Sequence, residues 1–538
     1  MKVVSVAQMR EAEEATFAAG TTEAELQGRA GRAVADAVAV VRPGPGSVVA
    51  LVGPGNNGRD AWIAVAELLR RGWRAKLYLT LRHAIGQDEL ERFVADGGRV
   101  VHYAQVHEPD TSGSATTGNA EFGIAAELQG SDVLIDGLLG IGTSGPPRPP
   151  LDAVVRDVNA LRGRPDRPFV VAVDNPSGVD ADTGVTPGVA VRADATVVLG
   201  GAKQGLLTAH AAAYTGRLIF ADIGVVPGLA SAPELVDNTS LQGLLTRPPA
   251  DAHKYTFGRV LVVAGSERYV GAAYLAAAAA IRAGTGVVTL AAPRWLRDVV
   301  AARLAEVTYL PIPDAGLAGA PDESVARIVA ELDGFSALAI GPGLSLEGGV
   351  GNAVEAILRE RARRNRPAVV DADALNALSQ RPDWPTWIGK EVVLTPHAGE
   401  LERLVASDAA DSGADAEAGD DQPQWLRART LAERWGVTLL MKGPFTTIAS
   451  GDQVWIHARP NPALATAGTG DVLTGIIAGL LARGLPPSAA ARLGTWVHGQ
   501  AGARIAADRP AGGLMASELL TEIPLALAAA LDPRGAAD

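Results

Sequence analysis

Ser47-Val48-Val49-Ala50-Leu51-Val52-Gly53-Pro54-Gly55-Asn56-Asn57-Gly58-Arg59-Asp60 reads as a buried strand running directly into a glycine-rich turn. Ala61 to Leu69 follows as a helix. Strand, tight turn and helix form the unit of open α/β sheets, which bind ligands at the carboxyl ends of their strands. Gly53-Pro54-Gly55 is followed by Asn56, Asn57 and then Gly58. Two adjacent Asn and a nearby Asp offer amide and carboxylate oxygens to a cation or to ligand hydroxyls. The same residues also suit an Asn-Gly turn with an Asp cap.

Outward from this stretch the pattern repeats. Residues 5–41 read as two helices, with Ala30, Val34, Ala37, Val38 and Val41 as one apolar stripe. Further strands are expected at Arg74–Leu79, Asp132–Ile135, Phe169–Val173, Val197–Leu199 and Arg217–Ile223. Two of them end in Asp136-Gly137-Leu138-Leu139-Gly140 and Asp174-Asn175-Pro176-Ser177-Gly178. One strand-terminal Asp is ordinarily a cap, but three polar strand ends in one sheet point to a site. Residues 110–120 are small and polar and read as a surface loop.

Residues 226–250 hold several Pro and Gly with weak periodicity and read as a linker between domains 1–225 and 251–538. The winding then restarts at Arg259–Val263, with Ala264-Gly265-Ser266 and an Ala-rich helix from Gly271 to Ala283 suited to tight packing on a sheet. Later strands end in Gly341-Pro342-Gly343-Leu344, Asp371-Ala372-Asp373, Thr395-Pro396-His397-Ala398-Gly399-Glu400 and Lys442-Gly443-Pro444-Phe445-Thr446, and a hairpin follows. Residues 406–424 carry Asp408, Asp411, Asp415, Glu417, Asp420 and Asp421 without a basic residue, and read as a disordered acidic insertion.

The chemistry of the second half centres on Gly468-Thr469-Gly470-Asp471 before the apolar run Val472–Leu481. Glycines opening a helix point free amides at an anion, and the helix dipole adds roughly half a positive charge there. A carboxylate just inside that turn stands where a base belongs if a hydroxyl is to attack a phosphoryl group. A helix cap is the competing reading. Lys442-Gly443 can set an ammonium and an amide beside phosphates, without the spacing of a P-loop. His397 suits a substrate contact or a cap on its own helix.

Composition narrows the class. Of 538 residues 47% are hydrophobic and 4% aromatic, which suits an α/β enzyme with aliphatic cores. A net charge of −12 argues against a nucleic-acid partner. No cysteine is present, so disulfides and thiolate chemistry are excluded. No signal-peptide core or membrane span stands out, and the expected place is the cytoplasm, without a membrane partner.

On the quoted motifs, residues 258–538 resemble the carbohydrate kinase-like branch of the ribokinase superfamily, and residues 1–225 resemble the YjeF N-terminal domain. The fusion is similar to the bifunctional NAD(P)H-hydrate repair family. That resemblance implies two three-layer α/β/α domains, Rossmann-like then ribokinase-like. It implies that the first domain epimerises the R and S hydrates at C6 of NADHX and NADPHX. The second would dehydrate the S form, coupled to ADP hydrolysis to AMP and phosphate, with Mg2+ accompanying ADP. It further implies K+ on Asn57, Asp136 and Ser177. Asn56-Asn57-Gly58-Arg59-Asp60, Gly140-Ile141-Gly142-Thr143-Ser144-Gly145-Pro146 and Asp174 would hold the hydrate in the first domain; Ala272, Gly343, His397 and Asp471 would hold it in the second. Lys442, Gly443, Pro444, Phe445, Thr446 and Gly470 would bind the nucleotide. Asp471 and Asp174 are the expected catalytic acid–base groups, and a homo-oligomer is expected.

Three departures from the family pattern stand out. Arg59 and Ala61 replace two usual glycines, Asn175 an aliphatic residue, and Ser345 a glycine. Arg59 bears most on the epimerase, since it can crowd the turn or add a phosphate contact. Two rivals remain: a small-molecule kinase using the same base and anion hole, and a first half that only binds.

Overall fold

Buried aliphatic strands organise both halves. The computed structural model describes residues 1–538 apart from 81, 82, 84, 104–126, 129, 226–231, 413–422, 508, 510, 511 and 532–538. The expected surface loop at 110–120 lies outside the described residues. Two compact units emerge, Met1–Ala232 and Pro233–Asp538.

The first unit contains β1 (Val3–Val4), β2 (Ser47–Val52), β3 (Arg74–Leu79), β4 (Arg99–His102), β5 (Val133–Gly137), β6 (Phe169–Val173), β7 (Ala195–Leu199), β8 (Ala202–Lys203) and β9 (Arg217–Ala221). Seven of these form a parallel sheet in the order β4-β3-β2-β5-β6-β7-β9. The chain winds outward from β2 to β4, returns to β5 and winds the other way to β9. The reversal opens a crevice between the carboxyl ends of β2 and β5. A separate parallel pair, β1 with β8, carries Lys203. β4 escaped the sequence reading because it is a short edge strand whose Arg99 and His102 face solvent.

Helices α1 (Val6–Ala18) and α2 (Glu23–Val41) open on capping boxes, Ser5 with Gln8 and Thr22 with Glu25. These satisfy first-turn amides at both ends of the exchange. The predicted stripe Ala30, Val34, Ala37 and Val38 is buried. Helix α3 spans Asn56–Arg70, with Gly55 as an extended N-cap. It therefore starts before Ala61: Asn56–Asp60 are its first turn, and their side chains are set by helical spacing. Helix α4 spans Gln87–Ala95.

The second unit contains β10 (Glu234–Leu235), β11 (Arg259–Val263), β12 (Val287–Ala292), β13 (Thr308–Pro311), β14 (Ala337–Ile340), β15 (Ala368–Val370), β16 (Val392–Leu394), β17 (Thr438–Met441), β18 (Thr446–Ser450) and β19 (Gln453–His457). They make one ten-stranded sheet, β10-β19-β18-β17-β16-β15-β14-β11-β12-β13, with the winding reversed between β11 and β14. It is parallel from β13 to β17, and β17-β18-β19 is the expected antiparallel run. Residues 233–250 are not a linker. Leu235 in β10 pairs with Ile456, and Val236 and Leu241 join the apolar core of this unit. Residues 226–231 lie outside the described residues.

The Ala-rich helix is Val270–Arg282. Its small residues serve the helix Thr469–Ala482 as well as the sheet: a Cβ on Gly475 would stand 2.2 Å from the Ala276 carbonyl oxygen. The helix Ala398–Ser412 runs through the start of the acidic stretch. There Asp408 accepts from Trp435 Nε1 at 2.8 Å and pairs with Arg434 at 2.9 Å, so this part is ordered helix rather than disordered insertion. Residues 413–422 lie outside the described residues. Among the described residues no helix is long and apolar enough to cross a membrane.

Candidate active sites

In the first unit, helical spacing turns Asn57 inward from α3. Its Nδ2 donates to the carbonyls of Leu139 at 2.9 Å and Val173 at 2.8 Å, joining the ends of β2, β5 and β6. Asp136 is wholly buried and accepts from the Ser177 hydroxyl at 2.6 Å, the Ser177 amide at 2.9 Å and the Leu138 amide at 3.3 Å. Burial pushes its carboxyl up, and those hydrogen bonds oppose the push. The three expected cation ligands are thus brought together. Among the described residues the hydrogen-bond donors to Asp136 are all neutral. Amide, hydroxyl, carbonyl and one carboxylate suit a hard monovalent ion. Among the described residues no group of three or more His, Cys, Asp or Glu is placed to hold a metal.

Asp174 follows β6 with φ +60, a conformation that costs about 1–3 kcal/mol in a non-glycine residue. The strain aims its Oδ1 at the Leu199 amide, 3.0 Å away, and at Lys203 Nζ. The Lys203 side chain is fully buried and also donates to the Leu199 carbonyl at 2.9 Å. Sequence reasoning missed Lys203; its signal was a lysine after Gly200-Gly201 at the end of a strand. Asp60 is buried, and its Oδ1 has no hydrogen-bond partner among the described residues. Burial, then the charges of Asp174 and Glu13, hold its carboxyl well above the usual range, against Lys203 and Arg59. Glu13 of α1 was also missed. Its carboxyl is raised by burial and by Asp174, against Lys203 and Arg10.

Arg59 reaches toward α4. Its guanidinium is bidentate on Glu89 of α4, at 2.6 and 2.7 Å. Asn175 spends its amide on the carbonyls of Pro176 and Val179, at 3.1 and 2.7 Å. Gly140 lies against the Asn57 amide, while Gly142, Thr143, Ser144, Gly145 and Pro146 form an exposed rim beside exposed Asn56.

In the second unit, Gly468 at φ +91 caps the helix Thr469–Ala482, a left-handed position that favours glycine. The amides of Gly470 and Asp471 have no backbone acceptor among the described residues, as first-turn groups should not. Asp371, after β15, is buried. It accepts from Lys442 Nζ at 2.7 Å and from the Thr474 hydroxyl at 2.8 Å. Lys442 also lies 3.8 Å from Glu400. Burial works to lower the Lys442 ammonium, but Asp371 and Glu400 outweigh it and hold it raised. Burial, then the charge of Asp371, pushes the Asp471 carboxyl up to about 7, against Lys442.

Thus Asp471, Lys442 and Gly470 meet as expected; a Cβ on Gly470 would be 3.8 Å from Lys442 Nζ. Of the remaining nucleotide candidates, Gly443 and Pro444 are exposed, Thr446 donates to the Gly443 carbonyl at 3.2 Å, and Phe445 is buried in the core, which leaves only its backbone for a ligand. Gly343 abuts Ala272, and the Ser345 amide donates to Asp373 at 2.8 Å, so this wall is tied to the loop bearing Asp371. His397 caps its own helix: its Nδ1 accepts from the Glu400 amide at 3.3 Å, while its ring stays exposed. Asp371, Glu400 and Thr474 had no assigned role in the sequence. Neither had His498, a buried ring held near 4 by burial, with Nε2 3.0 Å from the Thr469 carbonyl.

Comparison with known proteins agrees with this division. Residues 23–205 match the family described as YjeF-related protein N-terminus, and residues 260–525 match that described as NAD(P)H-hydrate dehydratase. The bifunctional NAD(P)H-hydrate repair enzyme of Moorella thermoacetica is 35% identical, covering 89% of this chain and 87% of its own length. That of Mycobacterium leprae is 35% identical over 98% of this chain and 99% of its own. A solved structure of an ADP/ATP-dependent NAD(P)H-hydrate dehydratase from Bacillus subtilis, co-crystallized with ATP and Mg2+, is 30% identical at a TM-score of 0.45, covering 55% of this chain and 99% of its own. Matched in both halves and along nearly its whole length, the chain belongs to the family of bifunctional NAD(P)H-hydrate repair enzymes.

Proposed function

We propose that the chain repairs hydrated NADH and NADPH. The first unit interconverts the R and S hydrates at C6, and the second dehydrates the S form while ADP becomes AMP and phosphate. The observation that carries this is Asp471: a carboxyl near 7 in the first turn of a long helix, beside the Lys442–Asp371 pair.

A base is most useful when its pKa lies near the working pH. Asp471 takes the proton of the C6 hydroxyl, whose oxygen attacks the terminal phosphorus of ADP as the bond to AMP breaks. The Gly470 and Asp471 amides and Lys442 face the charge that develops on the phosphoryl oxygens. The N1 lone pair then expels phosphate from C6, and loss of a C5 proton restores the double bond. Ala272, Gly343 and His397 hold the hydrate. Mg2+ supplies charge neutralisation on the ADP phosphates.

In the first unit, Asn57, Asp136 and Ser177 hold K+, which balances the buried Asp136 charge. Asp174 is the carboxylate that epimerisation requires, and the rim Gly140–Pro146 with Asn56–Asp60 holds the hydrate. The work belongs in the cytoplasm with the reduced cofactors, and the chain assembles as a homo-oligomer.

The test is the near-ultraviolet absorbance of NADH regained from its hydrate with ADP or ATP, for wild type and Asp471→Asn. Nucleotide-dependent recovery with release of free phosphate is expected. Recovery without nucleotide would overturn the mechanism, and a phosphorylated product that accumulates would favour a kinase.

A further inference from the structure

Epimerisation at C6 needs a proton delivered to one face and a place for positive charge to rest. Four charged groups of the first unit act on one another: Glu13 on α1, Asp60 in the first turn of α3, Asp174 after β6 and Lys203 on β8. Their bonding is unequal. Asp174 is committed to Lys203 and to the Leu199 amide, and the side chain of Lys203 has no exposure. The Asp174 carboxylate oxygen is thus already occupied by an ammonium and an amide. Asp60 is buried among carboxylates, and its Oδ1 is left without a hydrogen-bond partner among the described residues. A buried oxygen of this kind calls for an explanation, and a catalytic role is one. Burial and the neighbouring carboxylates keep Asp60 protonated far above the ordinary carboxyl range. Of the two carboxyls, one is engaged by a lysine and the other is buried with an unpartnered oxygen.

We propose that Asp60 is the proton donor of the epimerisation, and that Asp174, held in place by Lys203 and the Leu199 amide, is the group that faces the cation. This rests on the epimerase reading of the first unit. Asp60 gives its proton to the C6 hydroxyl oxygen. The C6–O bond breaks, its electron pair leaves with water, and the N1 lone pair forms the C6=N1 bond. The cation is held against Asp174. Water then adds to the opposite face of C6, and its proton returns to Asp60. Nothing is consumed, and no co-reactant is needed. Arg59, the preceding residue, pairs bidentately with Glu89 and opposes the rise of the Asp60 carboxyl only as a minor charge.

The experiment uses the full chain without nucleotide, so that dehydration is idle. Starting from the S hydrate of NADH, the R to S ratio is followed by chromatography across about pH 5 to 9, the range in which a tuned carboxyl titrates. Wild type should interconvert the epimers, with a rate that falls as pH rises through the Asp60 titration. Asp60→Asn should slow this by about 10²–10⁴-fold and abolish the alkaline fall, while dehydration of the S hydrate with ADP is unchanged. Glu13→Gln removes a charge that keeps Asp60 protonated, so its alkaline fall should move to lower pH. A wild-type rate in Asp60→Asn, or an unmoved limb in Glu13→Gln, overturns the proposal and leaves the epimerase reading standing. A wild type that does not interconvert the epimers takes the proposal down together with that reading.

Discussion

Each unit sets a lysine–aspartate pair beside a second carboxyl with a raised pKa. In the first the pair is Lys203–Asp174 and the second carboxyl is Asp60. In the second the pair is Lys442–Asp371 and the second carboxyl is Asp471. Both groupings lie at the carboxyl ends of parallel strands, where α/β sheets place ligands. The lysines differ. The Lys203 side chain has no exposure, whereas that of Lys442 keeps 22% of its surface. A fully enclosed ammonium can reach only its own partners; a partly open one can also meet a phosphate. The helix termini differ as well. Asp471 sits in the first turn of a helix opened by Gly468, where free amides add to the attraction for an anion. On the proposed function, the same polar triad serves a cation in one unit and a phosphoryl group in the other.

The comparison breaks first at Asp471. Asp471→Asn should lower dehydration by about 10²–10⁴-fold and spare epimerisation; equal loss of both reactions would mean the two sites are not independent. Wild-type dehydration should fall about tenfold per unit as pH drops below about 7, since the base must be unprotonated. The folded carboxyl binds its proton more tightly than the unfolded one, so its stability contribution is lost as pH rises through that value. The Asn variant should therefore gain Tm, and more at pH 8 than at pH 5, read by calorimetry.

Lys442→Gln tests the open lysine. It should raise the nucleotide KM roughly 10- to 100-fold, the worth of a charge-assisted hydrogen bond, with little change in epimerisation. A smaller effect follows from the cation. Replacing K+ by Li+ should lower the Tm of the first unit by a few degrees, by loss of a ligand bound only to the folded state, and Asp136→Asn should remove that dependence. Smallest is Arg59→Gly. Because Arg59 is spent on partly exposed Glu89, the change should cost about 1 kcal/mol or less in stability, and the epimerisation rate should stay close to wild type. A large gain in that rate would return Arg59 to the crevice.

Much of the site was legible because it is written in strand ends. Asn57, Asp136, Asp174, His397, Lys442 and Asp471 each follow a buried aliphatic run or open a helix, and these local rules need no partner. The start of α3 was less legible: Gly55 can end a turn or cap a helix, and Asn56–Asp60 became helical where the sequence suggested loop. Residues 233–250 read as linker because Pro and Gly conceal the apolar Leu235, Val236 and Leu241 that the second sheet buries.

The sequence by itself determined two wound α/β units, the strands that carry polar ends and the acid–base candidates, since strand burial and glycine turns are local properties of the chain. Only the tertiary structure decided which charge answers which. Lys203 lies 29 residues from Asp174, and Lys442 lies 71 from Asp371. Such pairs form only when separate strand ends meet at one edge, and burial there raises the pKa of the neighbouring carboxyls Asp60 and Asp471.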